Sequence, residues 1–221
     1  METPTQPMQY GEGKRSRILE GARLLFWEQG YENTTLADVA ERTQANLGSV
    51  YYFFHTKEDL LLGVLDLYTE LLFPVLIRPL FERVKDPLER IFGLLDGYRQ
   101  GLLLSGCTQG CPIGNLALEV GDAMPKARAK IAANFEGWRG WVRKCLEDAK
   151  DRLPPDADIH ALAVFILTVM EGAVMQARAH QSLEPFDASV LQLRDYFDRL
   201  QGPKPKNRPA ARPGKRKVAR R

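Results

Sequence analysis

The sequence predicts an all-α fold, and two observations lead to that prediction. Apolar residues recur at helical spacing along most of the 221 residues, and no stretch alternates apolar and polar residues as a half-buried strand would. Proline and glycine separate the helical stretches from one another. A chain of this length can bury a substantial core, and we expect a small module followed by a larger one.

Three closely spaced helices are predicted at the start of the chain. Residues 15–29 carry an apolar stripe on one helical face and end at Gly30. Thr35 opens a Thr-x-x-Asp capping box before a short helix, and Asn46 caps the following segment, LGSVYYFF. Two short helices joined by a tight connection, with an earlier helix covering their apolar backs, are typical of a helix-turn-helix.

The rest of the chain is predicted to form longer helices. A second Thr-x-x-Asp box at Thr56 precedes an apolar run in which Pro74 and Pro79 predict a kink or break. The segment 105–115, rich in glycine and proline, is predicted to be a loop. Helices are expected at 87–104, from 116 onward, and over 125–153, 159–180 and 189–200.

Basic residues are concentrated at the C-terminal end of the chain. Residues 202–221 hold nine Lys or Arg, four Pro and no acidic residue, whereas the other 201 residues hold 22 basic and 28 acidic residues. With few large apolar side chains, this tail cannot bury enough surface to offset its ordering, and we expect it to be disordered. It would serve either as a non-specific contact to nucleic-acid phosphates or as a solubilising extension.

Several classes of function are disfavoured by the composition and by missing motifs. There is no run of eighteen apolar residues and no signal-peptide core, so we expect a cytoplasmic protein without a membrane span. The three cysteines do not form a disulfide framework, and together with the separated histidines they match no compact zinc spacing, so neither a metal nor a cofactor is expected. No nucleophile elbow, metalloprotease motif or phosphate loop occurs, and the chain is predicted not to be an enzyme.

The predicted helix-turn-helix carries side chains suited to DNA. The second helix of this motif lies in the major groove, where its first residues reach base edges while hydroxyls and basic groups hold phosphates. Helical period divides the aromatic run, so that Val50 and Phe54 face the core while Tyr51 and Tyr52 face DNA. The predicted DNA contacts are Thr35, Asn46, Leu47, Gly48, Ser49, Tyr51, Tyr52, His55 and Lys57.

Residues 14–61 carry a specific set of short motifs. They are the Ile-Leu-x-x-Ala-x-x-Leu-Phe of the first helix, Gly30-Tyr31, Thr34-Thr35 with Asp38-Val39-Ala40, Gly48-Ser49-Val50-Tyr51-Tyr52, Phe54, and Lys57-Glu58-Asp59-Leu60. This set closely resembles the DNA-binding domain of the TetR family of transcriptional regulators. The resemblance implies a homodimeric, ligand-responsive repressor that binds a palindromic operator in double-stranded DNA and is released by a small-molecule effector.

Two positions depart from the usual pattern of that family. Its turn commonly contains Ala-Gly-Val, with glycine at a positive φ, whereas Thr43-Gln44-Ala45 stands here, so Gln44 must accept that geometry. Leu47 stands where the family often has a basic or polar residue. We therefore expect an apolar contact at this position, for instance with a thymine methyl group.

The segment GCPIGNLALE resembles a subset of the family that carries a Gly-Cys pair near the effector pocket, some members of which respond to reactive electrophiles. A thiol at a helix N-terminus gains from the helix dipole, which lowers its pKa, so Cys111 is a candidate sensor and Cys107 its candidate resolving partner. The alternative is that Cys111 is a small pocket-lining residue and the effector is noncovalent. Phe135, Trp138 and Met170 would line the same cavity or belong to the plain core.

The resemblance also implies dimerisation through the last two helices. Small residues within 159–180 allow close helix approach and 189–200 adds a second apolar face, although both could instead form a core within one chain. The predicted domains are a flexible N-terminus (1–13), a helix-turn-helix DNA-binding domain (14–58), an effector-binding and dimerisation domain (59–201) and a disordered basic tail (202–221). A non-specific architectural DNA-binding protein that uses its tail is the alternative function.

Overall fold

The computed structural model describes residues 10–120 and 123–201, and those residues form helices and no strand. Ten α-helices follow one another: α1 Tyr10–Gln29, α2 Leu36–Arg42, α3 Leu47–Phe53, α4 Lys57–Leu71, α5 Arg78–Arg83, α6 Pro87–Leu104, α7 Pro112–Val120, α8 Pro125–Asp148, α9 Ile159–His180 and α10 Glu184–Leu200. A π-helical segment, Leu72–Ile77, joins α4 to α5, and a 3-10 turn, Lys150–Arg152, follows α8. The predicted all-α class is confirmed.

The N-terminal helices are held together by capped starts and by a shared apolar core. The capping boxes at Thr35 and Thr56 are both closed, and the Asn46 side chain accepts a hydrogen bond from the backbone of Ser49, as the sequence predicts. These bonds satisfy backbone N–H groups that a short helix leaves free at its start. The side chains that fill the space between α1, α2, α3 and α4 are fully buried: Ile18, Ala22, Val39, Val50 and Leu60.

The remaining helices form a second bundle around α8 and α9. Helix α8 packs against α4, α6, α7 and α9, and α10 packs along α9. Large buried side chains of this bundle include Phe186 and Phe197 from α10, Ile166 from α9 and Leu146 from α8. Because α4 belongs to the N-terminal core and also packs against α8, it connects the two groups of helices.

Three helix starts differ from those predicted, and α8 ends at Asp148, five residues before its predicted end. Helix α1 begins at Tyr10, so residues 10–13, expected to be flexible, are helical. Helix α7 begins inside the predicted loop because Pro112 stands at its first turn, where a missing N–H costs nothing. Helix α10 begins at Glu184, five residues before the predicted start, again with a proline in its first turn. Pro74 lies in the π-helical segment, which accommodates it without ending the helix.

Two helices pass a length and composition test for crossing a membrane. They are Lys57–Arg83, which counts α4, the π-helical segment and α5 as one helix, and Ile159–His180. Core helices of soluble proteins pass the same test.

Residues 1–9, 121–122 and the predicted disordered tail, 202–221, lie outside the described residues.

Candidate DNA-binding surface and ligand cavity

Helix α3 is oriented by a turn and a cap that leave its first residues free. Gln44 in the preceding turn has a φ of 52°, which confirms the predicted left-handed geometry at this position. The Oδ1 atom of Asn46 accepts hydrogen bonds from the backbone N of Ser49 at 2.7 Å and from its hydroxyl at 2.6 Å. At Gly48, an added Cβ would meet only the cap oxygen, at 3.7 Å, so the helix start is open to close approach.

The two faces of α3 separate buried from exposed aromatic residues. Val50 is fully buried and Phe54, which follows the helix, is 3% exposed. The opposite face presents Leu47 at 41% exposure, Tyr51 at 48% and Tyr52 at 75%. A monomer that exposes three large apolar side chains side by side presents a surface for another molecule. The predicted burial of Val50 and Phe54 and exposure of Tyr51 and Tyr52 are confirmed, whereas contact of the two tyrosines with DNA stays a prediction.

Basic and hydroxyl groups border this exposed face. The Lys14 ammonium, on α1, donates a hydrogen bond to the Ser49 hydroxyl at 2.9 Å and so lies beside the start of α3. Sequence reasoning missed Lys14, because nothing in the linear spacing relates it to a residue 35 positions away. His55 Nδ1 lies 3.0 Å from the carbonyl oxygen of Tyr51, which holds the imidazole at the end of the helix.

A second basic group lies near the start of α2. The Lys57 ammonium donates to the Glu32 carbonyl at 3.1 Å and lies 4.2 Å from the centre of the Tyr31 ring. Thr35 accepts a hydrogen bond from the backbone N of Asp38 at 3.1 Å, which leaves its hydroxyl proton available to a further acceptor. The nine predicted DNA-contact residues thus lie on or beside α3 and at the start of α2 and α4.

A cavity of about 650 Å³ lies between the two groups of helices. This volume falls within the range that accommodates small organic ligands. Its walls are mostly apolar, and two of its lining residues, Val75 and Leu76, are 57% and 45% exposed. The side chains that bring rings or polar groups to its lining are Arg23, Trp27, Tyr68, Arg83, Tyr98, Gln109, Asn134 and Trp138.

Among the predicted effector residues, Trp138 lines this cavity, and the others do not belong to its lining. Phe135 is half-buried against the core, and Met170 is 2% exposed. Cys107 and Cys111 are free thiols, each 4% exposed. Cys111 stands between two lining residues, Gly110 and Pro112, but is not part of the lining itself.

The expected lowering of the Cys111 pKa is wrong. The Cys111 thiol accepts a hydrogen bond from the backbone N of Gly114 at 3.5 Å, as its place at the start of α7 suggests. Burial nevertheless raises its pKa well above the usual range, and the nearby Glu171 carboxylate raises it further. Burial likewise raises the pKa of Glu171, and that of Tyr98, whose hydroxyl lies 3.8 Å from the thiol. At neutral pH this thiol is therefore protonated.

Helix α7 is attached at both ends to the N-terminal helices. Before its start, the Gly110 carbonyl accepts a 2.7 Å hydrogen bond from the indole N–H of Trp27, on α1. Near its end, the Glu119 carboxylate accepts a hydrogen bond from the backbone N of Tyr31 at 2.6 Å. Gly30, at φ 88°, allows this approach, because a Cβ there would lie 2.8 Å from the carboxylate. The motif around Cys111 includes Glu119, but its sequence does not indicate this contact.

Two models of known protein families together match most of the described chain. Residues 18–64 match the model described as "Bacterial regulatory proteins, tetR family". Residues 87–193 match the model described as "Tetracyclin repressor-like, C-terminal domain". The first match contains the helix-turn-helix and the second contains α6 to α9 with part of α10.

Individual relatives are similar over most of their length. The uncharacterized HTH-type transcriptional regulator Rv0196 of Mycobacterium tuberculosis is 32% identical over 190 residues, which cover 83% of this chain and 94% of the relative. The HTH-type transcriptional repressor ComR of Escherichia coli is 29% identical, covering 77% and 82%. The crystal structure of a TetR transcriptional regulator from Chloroflexus aurantiacus is 29% identical and superposes with a TM-score of 0.72, covering 86% and 97%.

Proposed function

The chain belongs to the TetR family of transcriptional regulators, and we propose that it is a cytoplasmic homodimeric repressor released from a palindromic operator by a small noncovalent effector. As a family member it is a DNA-binding regulator and not an enzyme. One observation carries the proposal for its regulation: α1 contributes to the core behind α3 and also lines the cavity, through Arg23 and Trp27.

In this proposal the DNA-binding domain comprises residues 14–58, and α3 enters the major groove. Leu47, Tyr51 and Tyr52 would contact base edges and methyl groups, which their exposure supports. Thr35, Ser49, His55 and the basic residues beside them would hold the phosphates on either side, which fixes register without reading sequence. The additional phosphate contact inferred from the structure is Lys14, since its ammonium reaches the start of α3.

Residues 59–201 would bind the effector and form the dimer through α9 and α10. Their apolar surface supports this role: Phe165 and Met175 on α9 are 44% and 56% exposed, and Leu191 and Tyr196 on α10 are 63% and 41% exposed. A second copy of the same two helices would bury these residues in a self-complementary interface. Two heads held by one such interface read half-sites about one helical turn apart, roughly 34–36 Å.

Release would follow from contacts that the effector makes with both groups of helices. A ligand in the cavity touches α1 directly and lies against the loop before α7. Near the other end of α7, Glu119 holds the backbone of Tyr31. A small displacement of either helix therefore changes the position of α3 relative to its partner. Ligands of this kind typically change DNA affinity by roughly 5- to 150-fold.

The test is DNA binding measured by fluorescence anisotropy with the full chain. The DNA flanking its own coding sequence is compared with a scrambled duplex of the same composition at physiological salt. We expect the flanking DNA to bind at least about 100-fold more tightly. Equal affinity would contradict the repressor proposal and favour the architectural alternative, and removal of residues 202–221 would then abolish most binding.

A further inference from the structure

One wall of the cavity contains a row of glycines on a single helix. Helix α6 places Gly93, Gly97 and Gly101 at successive four-residue intervals, and all three line the cavity. Glycine is among the least favourable residues in a helix interior, so three on one face call for a reason. At Gly93 the reason is packing, because an added Cβ would lie 2.5 Å from a methyl carbon of Leu80.

Packing does not account for the other two glycines. A Cβ added at Gly97 or at Gly101 would meet no heavy atom within 4 Å. Alanine would therefore fit at both positions and would favour the helix. What these glycines provide is bare backbone facing the open space of the cavity, which we call the glycine strip.

Aromatic rings form the sides of the same space. Trp27, Tyr68, Tyr98 and Trp138 line the cavity, and the Tyr98 and Trp138 rings are 5.4 Å apart at 52°. Rings packed edge to face against a bound ring are favourable contacts. The open space at Gly97 and Gly101, between aromatic side chains, leaves room for the face of a flat ring system. A bulky saturated ligand would not reach the glycine strip with its whole face.

The charged groups of the lining are all positive. Arg23 and Arg83 line the cavity, and no Asp or Glu does so within the described residues. Arg23 is paired with Glu20 through two hydrogen bonds. Arg83 is exposed on α5 and makes no ion pair with any residue that the structure describes. A carboxylate gains a partner here, whereas an ammonium group would lose its water without gaining an opposite charge.

We propose that the effector is a planar, fused-ring aromatic acid that lies on the glycine strip and directs its carboxylate to Arg83. The regulatory role of this ligand rests on the proposed function above, whereas its chemical class rests on the cavity alone. The two are therefore separable by experiment, because binding of a ligand can be measured without DNA.

The first test compares three probes by isothermal titration calorimetry on the full chain without DNA. They are anthracene-2-carboxylate, its cationic counterpart (anthracen-2-yl)methylammonium, and the saturated, non-planar perhydroanthracene-2-carboxylate. We expect the aromatic acid to bind at least tenfold more tightly than the ammonium and at least fivefold more tightly than the saturated acid. Equal or stronger binding of either comparison probe would overturn the proposal.

Two pairs of variants then locate the binding. Arg83→Gln should reduce the preference for the acid over the ammonium at least threefold, whereas Arg78→Gln, exposed on the same helix but outside the lining, should not. Gly97→Leu should weaken binding of the aromatic acid at least tenfold. Its control, Gly140→Leu, introduces leucine where a Cβ also meets no atom within 4 Å, on α8 and outside the cavity lining.

The melting temperature of each variant is measured as a control for folding. We expect Gly97→Leu to raise the melting temperature, because leucine favours a helix more than glycine does, so weaker binding in this variant would not be due to unfolding. Unchanged binding in Gly97→Leu or in Arg83→Gln would contradict the proposed pose. Release of operator DNA by the same acid is measured separately. If the acid binds as expected without releasing DNA, the ligand class stands and the proposed regulatory function fails.

Discussion

The exposed surface of α3 and the cavity beside α6 are built in opposite ways. On α3 the candidate functional groups are exposed side chains, such as Tyr51 and Tyr52, oriented by caps and a turn within ten residues of them. In the cavity they are half-buried rings brought together from distant segments, and two positions, Gly97 and Gly101, where the side chain is missing. The first surface depends on local hydrogen bonds and the second on the packing of several helices.

The largest expected effect concerns the reactivity of Cys111, which stands beside the cavity lining. Burial and Glu171 raise the pKa of its thiol, and the thiolate is the form that reacts. At pH 7.5 we therefore expect iodoacetamide to alkylate Cys111 at least about 100-fold more slowly than it alkylates the thiol of glutathione. Mass spectrometry after timed labelling measures the rate. The control, Leu118→Cys, adds a thiol at a 75% exposed position and should react rapidly. Alkylation of Cys111 as fast as that control would restore the covalent-sensor hypothesis.

The next largest effect is expected from the exposed rings of α3. Replacing Tyr51 and Tyr52 together by alanine should weaken operator binding by about 10- to 100-fold, because each ring contributes base or phosphate contacts of roughly 1 kcal/mol or more. The melting temperature should hardly change, since both rings are largely exposed. Leu104→Ala, at an 88% exposed position on α6, is the control for loss of exposed apolar surface. Unchanged DNA affinity in the double variant would remove α3 from the proposed groove.

A smaller effect should follow from opening one cap in the DNA-binding region. Thr35→Ala removes the oxygen that accepts from the backbone N of Asp38, which should lower the free energy of unfolding by about 1 kcal/mol. Urea denaturation measures this change. Thr168→Ala, which removes a hydroxyl bonded to a carbonyl in the middle of α9, should change it by no more than about 0.5 kcal/mol. Equal losses would mean that the cap has no special role.

The smallest effect is a gain in stability at the turn before α3. Gln44 holds a left-handed conformation at φ 52°, which is strained for a residue with a side chain, so Gln44→Gly should stabilise the chain by about 0.5–1 kcal/mol. Gln100→Gly, in the exposed interior of α6, should instead destabilise it by about 1 kcal/mol. A loss of stability in the first variant would show that the glutamine side chain makes a compensating contact.

The same contrast explains how much of the structure could be predicted from the sequence. The N-terminal helices were predicted with their caps, the positive φ of Gln44 and the division of the aromatic run, because each signal lies within a few residues of its effect. The starts of α7 and α10 were missed. Both helices have a proline in the first turn, but Pro112 lies in a segment rich in glycine and proline, which is typical of a loop.

The cavity could be predicted much less well. Trp138 was identified among the candidate lining residues, but Arg23 and Trp27 reach the cavity from the helix that supports the DNA-binding surface, which no local pattern indicates. The pKa of Cys111 was predicted in the wrong direction because the dipole of α7 was considered without the burial that outweighs it. The contact of Glu119 with the backbone of Tyr31 spans 88 positions and likewise has no local signal.

Communication between the two regions can be tested without knowing the effector. Glu119 lies in α7, outside the proposed DNA contacts, yet its carboxylate holds the backbone that leads from α1 toward α2. If α7 controls the position of α3, operator affinity measured by fluorescence anisotropy should fall at least threefold in Glu119→Ala. It should stay unchanged in Glu147→Ala, a matched exposed glutamate on α8. Equal affinity of wild type and Glu119→Ala would contradict the proposed coupling between the cavity and the DNA-binding surface.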